Sequence, residues 1–234
     1  MRSTGASILT VALICVSFSS AQDKRHSVTV FGSYTTSSKL FHNPKSADGF
    51  LRRQYLSLED IFGFGIEFRF SVEPDLLQIG FSVEYLRKRK EGKYAYSTDQ
   101  NIATRDGFAA IPLEVTPYFT IPIGGKLFRI YIGGGIGMYI GERSYEFADV
   151  AARTIDRKIG AGIHIISCTR FFIGPNTALQ ADIKFRDVQF ETSNVFSKSS
   201  TAYHGRIIPL ESERLNSLIN IDGMTFNIGT VFYF

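Results

Sequence analysis

Charged side chains that could do chemistry recur at every second position in several segments of this sequence. Glu67 and Arg69 form one such series, and Asp182, Lys184 and Arg186 form another. Converging carboxylates can perform acid/base catalysis, whereas charges of opposite sign can instead form ion pairs. A spacing of two residues places side chains on one face of a β-strand. The faces of the strands therefore decide which chemistry is available.

Apolar residues also recur at every second position, in eight segments that are longer than most soluble strands. Their length suits strands that cross a bilayer at a tilt. Aromatic residues make up 14% of the chain, with 21 Phe and no Trp, which favours sheet over helix. We predict strands over Ser27–Thr36, Ile61–Val72, Leu76–Arg87, Gly107–Ile121, Lys126–Gly141, Asp156–Ser167, Thr177–Phe190 and Gly223–Phe234.

The second predicted strand shows two contrasting faces. Phe62, Phe64 and Ile66 lie on one face, while Glu67 and Arg69 lie on the other together with glycines. Small and charged residues suit the crowded interior of a narrow barrel, and a continuous apolar face suits hydrocarbon. We therefore expect the charged face to point inward. The alternative is a soluble, lipocalin-like barrel whose apolar face points inward.

Short and long connections between the predicted strands alternate. The short ones are Glu73–Asp75, Pro122–Gly125 and Cys168–Asn176, and the long, polar ones are Ser37–Asp60, Lys88–Asp106, Glu142–Ile155 and Glu191–Asp222. This alternation predicts an all-β fold, an eight-stranded antiparallel up-and-down transmembrane β-barrel. In such barrels the short turns and both termini are periplasmic, and the long loops lie outside the cell.

The N-terminus has the pattern of a secretory signal peptide. An apolar run from Ile8 to Phe18 is followed by the small residues Ser19, Ser20 and Ala21, which predicts cleavage after Ala21. We therefore divide the chain into a cleaved signal peptide, 1–21, and a barrel domain, 22–234. A net charge of only +4, with both signs intermixed, gives no indication of a nucleic-acid partner.

The inward faces of the predicted strands define a candidate network inside the barrel. Eight strands leave an interior just wide enough for side chains to fill, and buried charges must pair. We expect a structural ion-pair network in the lumen, and the alternative is a narrow channel for small or apolar solutes. The predicted members are Glu67, Arg69, Glu84, Glu114, Arg129, Lys158, Asp182, Lys184 and Arg186, with His164 beside them.

The last residues resemble the C-terminal signal of outer-membrane barrels. That signal has a polar residue, a glycine two positions later, and then hydrophobic residues ending in an aromatic one. Asn227, Gly229, Phe232 and Phe234 match these places. The resemblance implies recognition by the barrel-assembly machinery.

Across the predicted strands the layout is similar to the small outer-membrane barrels of the OmpA transmembrane-domain and OmpW-like superfamily. The stretch Ile111–Phe119, followed by a glycine turn and Ile132–Gly137, carries the likeness. It implies a bacterial outer-membrane location, with outer-membrane lipid and lipopolysaccharide as partners and an extracellular ligand left open. The basic run Arg87–Lys90 could meet lipopolysaccharide phosphates, or it could be a solvated loop base.

Signals for catalysis, metal and cofactors are weak. The four histidines are His26, His42, His164 and His204, and none lies in the His-x-Ser spacing of lipid A deacylases. Metal-site spacing and phosphate-binding loops are absent from the sequence. We predict no enzyme, no cofactor, no metal and no catalytic residues. The expected function is a structural or surface-interaction role, with a lipid A-modifying enzyme as a third alternative.

Overall fold

The structure, a computed structural model, describes residues 25–73, 75–97, 100–123, 125, 127–203, 205–210 and 214–234, without the side chains of residues 96, 97 and 100. Nearly all of these residues lie in antiparallel strands, with one short helix, α1, at Gly49–Arg53. None of the helical residues described here forms a helix long and apolar enough to cross a membrane. The predicted signal peptide, 1–21, lies outside the described residues.

Twelve strands follow one another along the described chain. They are β1 (His26–Phe41), β2 (Tyr55–Glu73), β3 (Leu77–Ser97), β4 (Gln100–Ile121), β5 (Phe128–Phe147), β6 (Val150–Arg157), β7 (Gly160–Phe172), β8 (Thr177–Phe196), β9 (Ser200–Tyr203), β10 (Arg206–Pro209), β11 (Leu215–Ile221) and β12 (Met224–Tyr233).

Ten of these strands build a closed wall with eight positions. β6 and β7 together occupy one position between β5 and β8, and β11 and β12 together occupy another between β8 and β1. The first and last positions pair in register, with Ser27 opposite Tyr233 and Thr35 opposite Thr225. β9 and β10 form a separate hairpin. The fold is therefore the predicted eight-stranded antiparallel barrel.

Two ends of the barrel differ in the length of their connections. The turn end holds the short connections near residues 75–76, 122–123 and 173–176, together with Arg25 and Phe234. The loop end holds α1, the tips of the β3–β4 and β5–β6 hairpins, and β9–β10. These two names are used below.

The strands extend further toward the loop end than the sequence predicts. Residues 88–97 and 100–106 continue β3 and β4, and residues 142–147 continue β5, although all were expected to be loop. Their polar composition hid the strand pattern, because the contrast between an apolar and a polar face ends there. Cys168–Phe172 likewise belongs to β7 and not to a turn. The predicted long loops are therefore wrong in large part: the wall continues through them.

Along most of each strand, side chains alternate between the two surfaces of the wall. From Ala178 to Thr192 in β8, every even-numbered residue is buried and the odd-numbered residues up to Gln189 are exposed. The exposed ones include Leu179, Ile183 and Phe185, whereas Asp182 is buried. Exposed apolar side chains from all eight positions form a continuous band around the outside, which we call the belt. It includes Val30, Phe64, Ile66, Phe81, Val83, Ile111, Val115, Ile132, Ile136, Ile163, Ile165, Ile183, Phe185 and Ile228.

Candidate functional site

The interior of the barrel is the place where most buried charged residues meet. Seven of the nine charged residues predicted for the lumen are buried on the inward face. They are Glu67, Arg69, Glu84, Glu114, Asp182, Lys184 and Arg186. They fall into two clusters, one nearer the turn end and one at mid-height, and each is extended by side chains that the sequence did not single out.

The cluster nearer the turn end is centred on Arg69. Its Nε donates to Glu67 Oε2 at 2.6 Å, and its guanidinium lies 3.5 Å from the centre of the Tyr118 ring. The Tyr118 hydroxyl donates to the other Glu67 oxygen, Oε1, at 2.6 Å. The Arg69 guanidinium also lies 3.6 Å from the sulfur of Cys168, which is buried. Each group is thus held by more than one neighbour.

Arg170 extends this cluster toward the turn end. Its Nε donates to Gln180 Oε1 at 2.8 Å, and it also donates to the Tyr233 hydroxyl at 3.1 Å. Gln180 Nε2 in turn donates to Asp182 Oδ2 at 2.9 Å. Arg170 was missed because the predicted strand stopped at Ser167. Continuing the alternation His164, Ile166, Cys168 by one step would have found it.

The mid-height cluster is centred on Glu114. It accepts from Lys184 Nζ at 2.5 Å and from the Tyr139 hydroxyl at 2.5 Å. Arg186 donates to Glu84 Oε2 at 2.8 Å, and another of its nitrogens lies 3.9 Å from Glu114 Oε1. Two carboxylates are therefore matched by two cations in a buried space, so the charges balance. Glu84 Oε1 and the Nε and Nη1 atoms of Arg186 have no hydrogen-bond partner among the described residues.

His164 lies beside this cluster, as the sequence predicts. Its Nε2 is hydrogen bonded to Thr116 Oγ1 at 2.7 Å. Its Nδ1 is buried and has no hydrogen-bond partner among the described residues. Among those same residues, no group of three or more His, Cys, Asp or Glu side chains could hold a metal ion.

Arg129 and Lys158 do not join the lumen network, and we correct the prediction for both. Arg129 is the second residue of β5 and lies at the turn-end rim, where it pairs with Asp75 at 2.8 Å. Lys158 lies in the interruption between β6 and β7, where the alternation is lost, and pairs with Glu191 at 2.8 Å. Both side chains are about half exposed, at 44% and 58%.

An apolar layer lies across the lumen on the loop-end side of the charged clusters. Its side chains project inward from most of the wall positions, and none is more than 2% exposed. We call it the plug. Its members are Leu40, Leu58, Ile61, Leu86, Phe108, Ala110, Tyr139, Val188, Phe190, Ile219 and Ile221. The plug closes the interior between the charged clusters and the loop end.

A third polar cluster lies beyond the plug. Arg143 donates to both oxygens of Asp106, at 2.8 and 2.6 Å, and His42 Nε2 lies 2.9 Å from Asp106 Oδ2. Burial alone would raise the pKa of Asp106, but the hydrogen bonds from His42 and Arg143 outweigh it and lower that pKa. Arg143 also donates to Ser217 Oγ at 2.8 Å. These residues were missed because their segments were predicted to be loops.

The four residues of the predicted assembly signal occupy β12 and the end of the chain. Asn227 is buried in the lumen, whereas Phe232 and Phe234 are exposed on the outside. Gly229 lies against β1, and a Cβ atom there would be 2.5 Å from the carbonyl oxygen of Val30. This strand forms the closing seam with β1. Recognition of these residues by an assembly machinery remains a prediction.

The two other histidines that the structure describes, His26 and His42, lie at opposite ends of the barrel. His26 lies at the turn end and stacks on Phe68, with ring centres 5.9 Å apart. His42 belongs to the loop-end cluster described above. His204 lies outside the described residues.

A search of solved structures finds small bacterial barrels among the similar proteins. Ail, the attachment invasion locus protein of Yersinia pestis, is 14% identical with a TM-score of 0.41, over 90% of this chain and 99% of that one. Neisserial surface protein A is 10% identical with a TM-score of 0.40, over 89% and 97%. The outer membrane protease OmpT from Escherichia coli is 10% identical with a TM-score of 0.47, over 89% and 97%.

These identities and TM-scores are low, so the fold assignment rests on this chain's own strand pairing. No protein-family model matches the chain. A search of curated proteins likewise finds no significant match.

Proposed function

We propose that this chain is a bacterial outer-membrane barrel with a filled lumen, whose loop end serves a structural or surface-interaction role outside the cell. The observation that carries the proposal is the inverted polarity of the wall: the belt faces outward, and the charged clusters face inward. Only a hydrocarbon environment makes that arrangement favourable, because in water the belt would stay exposed. The short turns and both ends of the barrel domain are then periplasmic.

The plug supports a closed barrel over the alternative of a narrow channel. A conducting path needs water along its whole length, but the apolar side chains of the plug are almost completely buried against one another. On the turn-end side of the plug, Lys184 and Arg186 form ion pairs with Glu114 and Glu84 and are therefore not free to line an aqueous pore. No described contact favours solute passage.

Membrane insertion is tested by electrophoresis of the outer-membrane fraction with and without boiling in SDS. A closed barrel should resist SDS until it is heated, so the unboiled band is expected to migrate differently. A chain recovered instead from the soluble periplasm would contradict the proposal and favour the lipocalin-like alternative.

Conductance in planar bilayers then tests the closed lumen. The native chain is expected to give no reproducible unitary steps. Replacing Phe108 and Phe190 of the plug by Gly should increase ion leakage, whereas the matched outward change of Phe64 and Phe81 to Gly should not. Unitary steps in the native chain that change when Glu114 is replaced by Gln would establish the channel instead.

A non-enzymatic role is part of the same proposal. The His42–Asp106 pair has the form of a base with its orienting carboxylate, but Ser217 Oγ accepts from Arg143 and is not hydrogen bonded to His42. Asp106 is also fully engaged by the Arg143 guanidinium. Mass spectrometry of lipid A from cells with and without the protein tests the enzyme alternative. Altered acyl chains would contradict the non-enzymatic role.

A further inference from the structure

A cleft on the outer surface of the wall lies directly beyond the belt, on the loop-end side. It has a volume of about 480 Å³ and is bounded by arginines on two sides: Arg87 and Arg89 on β3, and Arg153 and Arg157 on β6. All four side chains are exposed. Two strands, β4 and β5, separate the two pairs of arginines.

The floor between the two arginine pairs is formed by Gly107 and Ala109 on β4 and by Ser144 and Glu142 on β5, so one carboxylate lies within it. Arg87 pairs in register with Ala109 of β4, and Arg89 pairs with Gly107. Ala109 is opposite Glu142 in β5, and Gly107 is opposite Ser144. Since neighbouring strands lie about 4.8 Å apart, the two arginine pairs stand roughly 14 Å apart across this floor. Arginine side chains can reach inward from both sides over such a gap.

Three of the four arginines have no carboxylate partner among the described residues. Arg157 pairs with Glu142, but the described carboxylates form no salt bridge with Arg87, Arg89 or Arg153. One row nearer the loop end the charges are matched, because Arg105 pairs with Glu91 at 3.2 Å and with Glu146 at 3.5 Å. An excess of positive charge is therefore concentrated at the edge of the belt.

The cleft continues into the belt as a second hollow of about 240 Å³. Tyr85, Ile111 and Ile140 line this hollow, and the Glu142–Arg157 ion pair lies at its boundary with the cleft. Ile111 and Ile140 are themselves partners in register. One continuous surface thus has guanidinium groups on its loop-end side and an apolar groove on its turn-end side.

The wall is also open at this place. β5 pairs with β7 up to Tyr139, opposite Gly160, and pairs with β6 again only from Tyr145, opposite Ala152. Between these points no ladder pair joins β5 to β6 or β7, although β5 remains paired with β4 on its other side. Asn194 bridges part of the slot by donating to the Arg143 carbonyl oxygen at 3.0 Å. The cleft therefore lies where the wall itself departs from regular pairing.

We propose that this cleft binds a phosphorylated lipid of the loop-end leaflet. Guanidinium groups of Arg87, Arg89 and Arg153 would donate to its phosphates, and an acyl chain would lie on Ile111 and Ile140. Arginine suits this task because its planar fork matches phosphate oxygens with paired hydrogen bonds. The inference rests on the proposed membrane location, and it adds a specific lipid site to it.

The test uses the full barrel protein in neutral detergent micelles, with binding measured by native mass spectrometry. The probe is bisphosphorylated lipid A, compared with dephosphorylated lipid A that carries the same acyl chains. Preferential binding of the phosphorylated form is expected. Equal binding of the two forms would overturn the proposal, and so would complete displacement of lipid A by inorganic pyrophosphate, which has no acyl chain.

Two variants and a matched control locate the site. The variant R87Q/R89Q/R153Q should weaken lipid A binding about tenfold or more, because charge-assisted hydrogen bonds are lost. The control R52Q/R53Q/K93Q removes the same charge elsewhere at the loop end and should change binding less than about twofold. Ala109→Leu fills the floor without changing charge and should also weaken binding. Equal losses in the triple variant and its control, or unchanged binding in Ala109→Leu, would overturn the proposed site.

Heat-modifiable migration in SDS is measured for every variant in parallel. A variant that keeps it has a folded barrel, so weakened lipid A binding in that variant reflects the site and not unfolding. If the native chain keeps it but does not prefer phosphorylated lipid A, the lipid site alone is overturned. Loss of heat-modifiable migration in the native chain would instead contradict the proposed membrane barrel.

Discussion

Arg186 is completely buried in the lumen, and its charge depends on two carboxylates. Glu84 accepts from it at 2.8 Å, while Glu114 lies further away at 3.9 Å. Removing the nearer charge leaves a buried cation only partly compensated. The stability of the barrel at residue scale therefore depends on complete pairs and not on single charges.

We expect Glu84→Gln to lower the free energy of unfolding by about 3 kcal/mol, because breaking a buried pair leaves an uncompensated charge. The measurement is urea-induced unfolding in lipid vesicles, followed by the heat-modifiable band. Glu59→Gln is the matched control, since Glu59 is exposed beyond the belt, and it should change stability by about 0.5 kcal/mol or less. Equal unfolding midpoints for both variants would contradict the importance of the pair.

Asp106 gives the loop end a dependence on pH. Its pKa is lowered in the folded chain by His42 and Arg143 in spite of burial, so its ionised form stabilises the fold above the ordinary Asp pKa of about 4. That stability should be lost as the pH falls through the lowered pKa. Amide hydrogen exchange in residues 102–108, corrected for intrinsic rates, should therefore accelerate at acidic pH in the native chain.

Asp106→Asn is the control for this effect. It removes the titrating group, so exchange in the same residues should already be faster at neutral pH and should change little on acidification. An identical pH response in the native chain and the variant would assign the effect to another group.

At the scale of elements, glycines allow β4 and β5 to approach closely. A Cβ atom on Gly135 would lie 1.9 Å from the carbonyl oxygen of Val115, so a larger residue cannot be accommodated without displacing the β4 backbone. Gly135→Val should therefore greatly reduce the fraction of chain that forms a heat-modifiable barrel. Gly32→Val is the matched control on β1, where a Cβ atom would meet nothing within 4 Å, and it should fold normally.

The alternation of side chains made the part of each strand that bears the belt predictable. Phe62 to Phe70 and Leu179 to Phe185 show it clearly, because one face belongs to the exposed apolar belt and the other to the polar lumen. Beyond the belt this contrast ends, so Arg143 and Asp106 were assigned to loops although backbone pairing continues through both. The interruption between β6 and β7 at Lys158 could not be predicted either, because the amino-acid composition does not change where one strand replaces another beside β5 and β8.

The sequence predicts that ion pairs form inside the lumen, but it does not predict which charged residues pair with each other. Charges of both signs on inward faces require partners, and the sequence indicates that much for Glu67 and Arg69. Which charges meet depends on the tilt and stagger of the wall, which bring Glu84 to Arg186 from distant strands. The plug was not predicted, because apolar residues on an inward face contradict the simple division into an apolar outside and a polar inside.

At the scale of the whole molecule, the effect of an outward-facing charge on stability should depend on whether the substituted residue lies in the belt. Ile136 and Ile207 are similarly exposed, at 68% and 77%, but only Ile136 lies in the belt. Ile136→Arg should destabilise the barrel in lipid vesicles by about 2–4 kcal/mol, as expected for a charge near the bilayer centre. Ile207→Arg, in β10 at the loop end, should be nearly neutral. Similar costs for both changes would place the belt outside a membrane.

The seam between β1 and β12 also bears on how the chain is made. Its partners are among the most distant in the sequence, since Ser27 lies opposite Tyr233, and such non-local contacts slow folding. Until β12 has been synthesised, β1 and β8 each present an unpaired edge, which can pair wrongly with other chains. We therefore expect the unfinished chain to need protection from pairing with its copies until β12 is available. Translation that halts before residue 224 leaves a product that cannot close and is a candidate for aggregation or proteolysis.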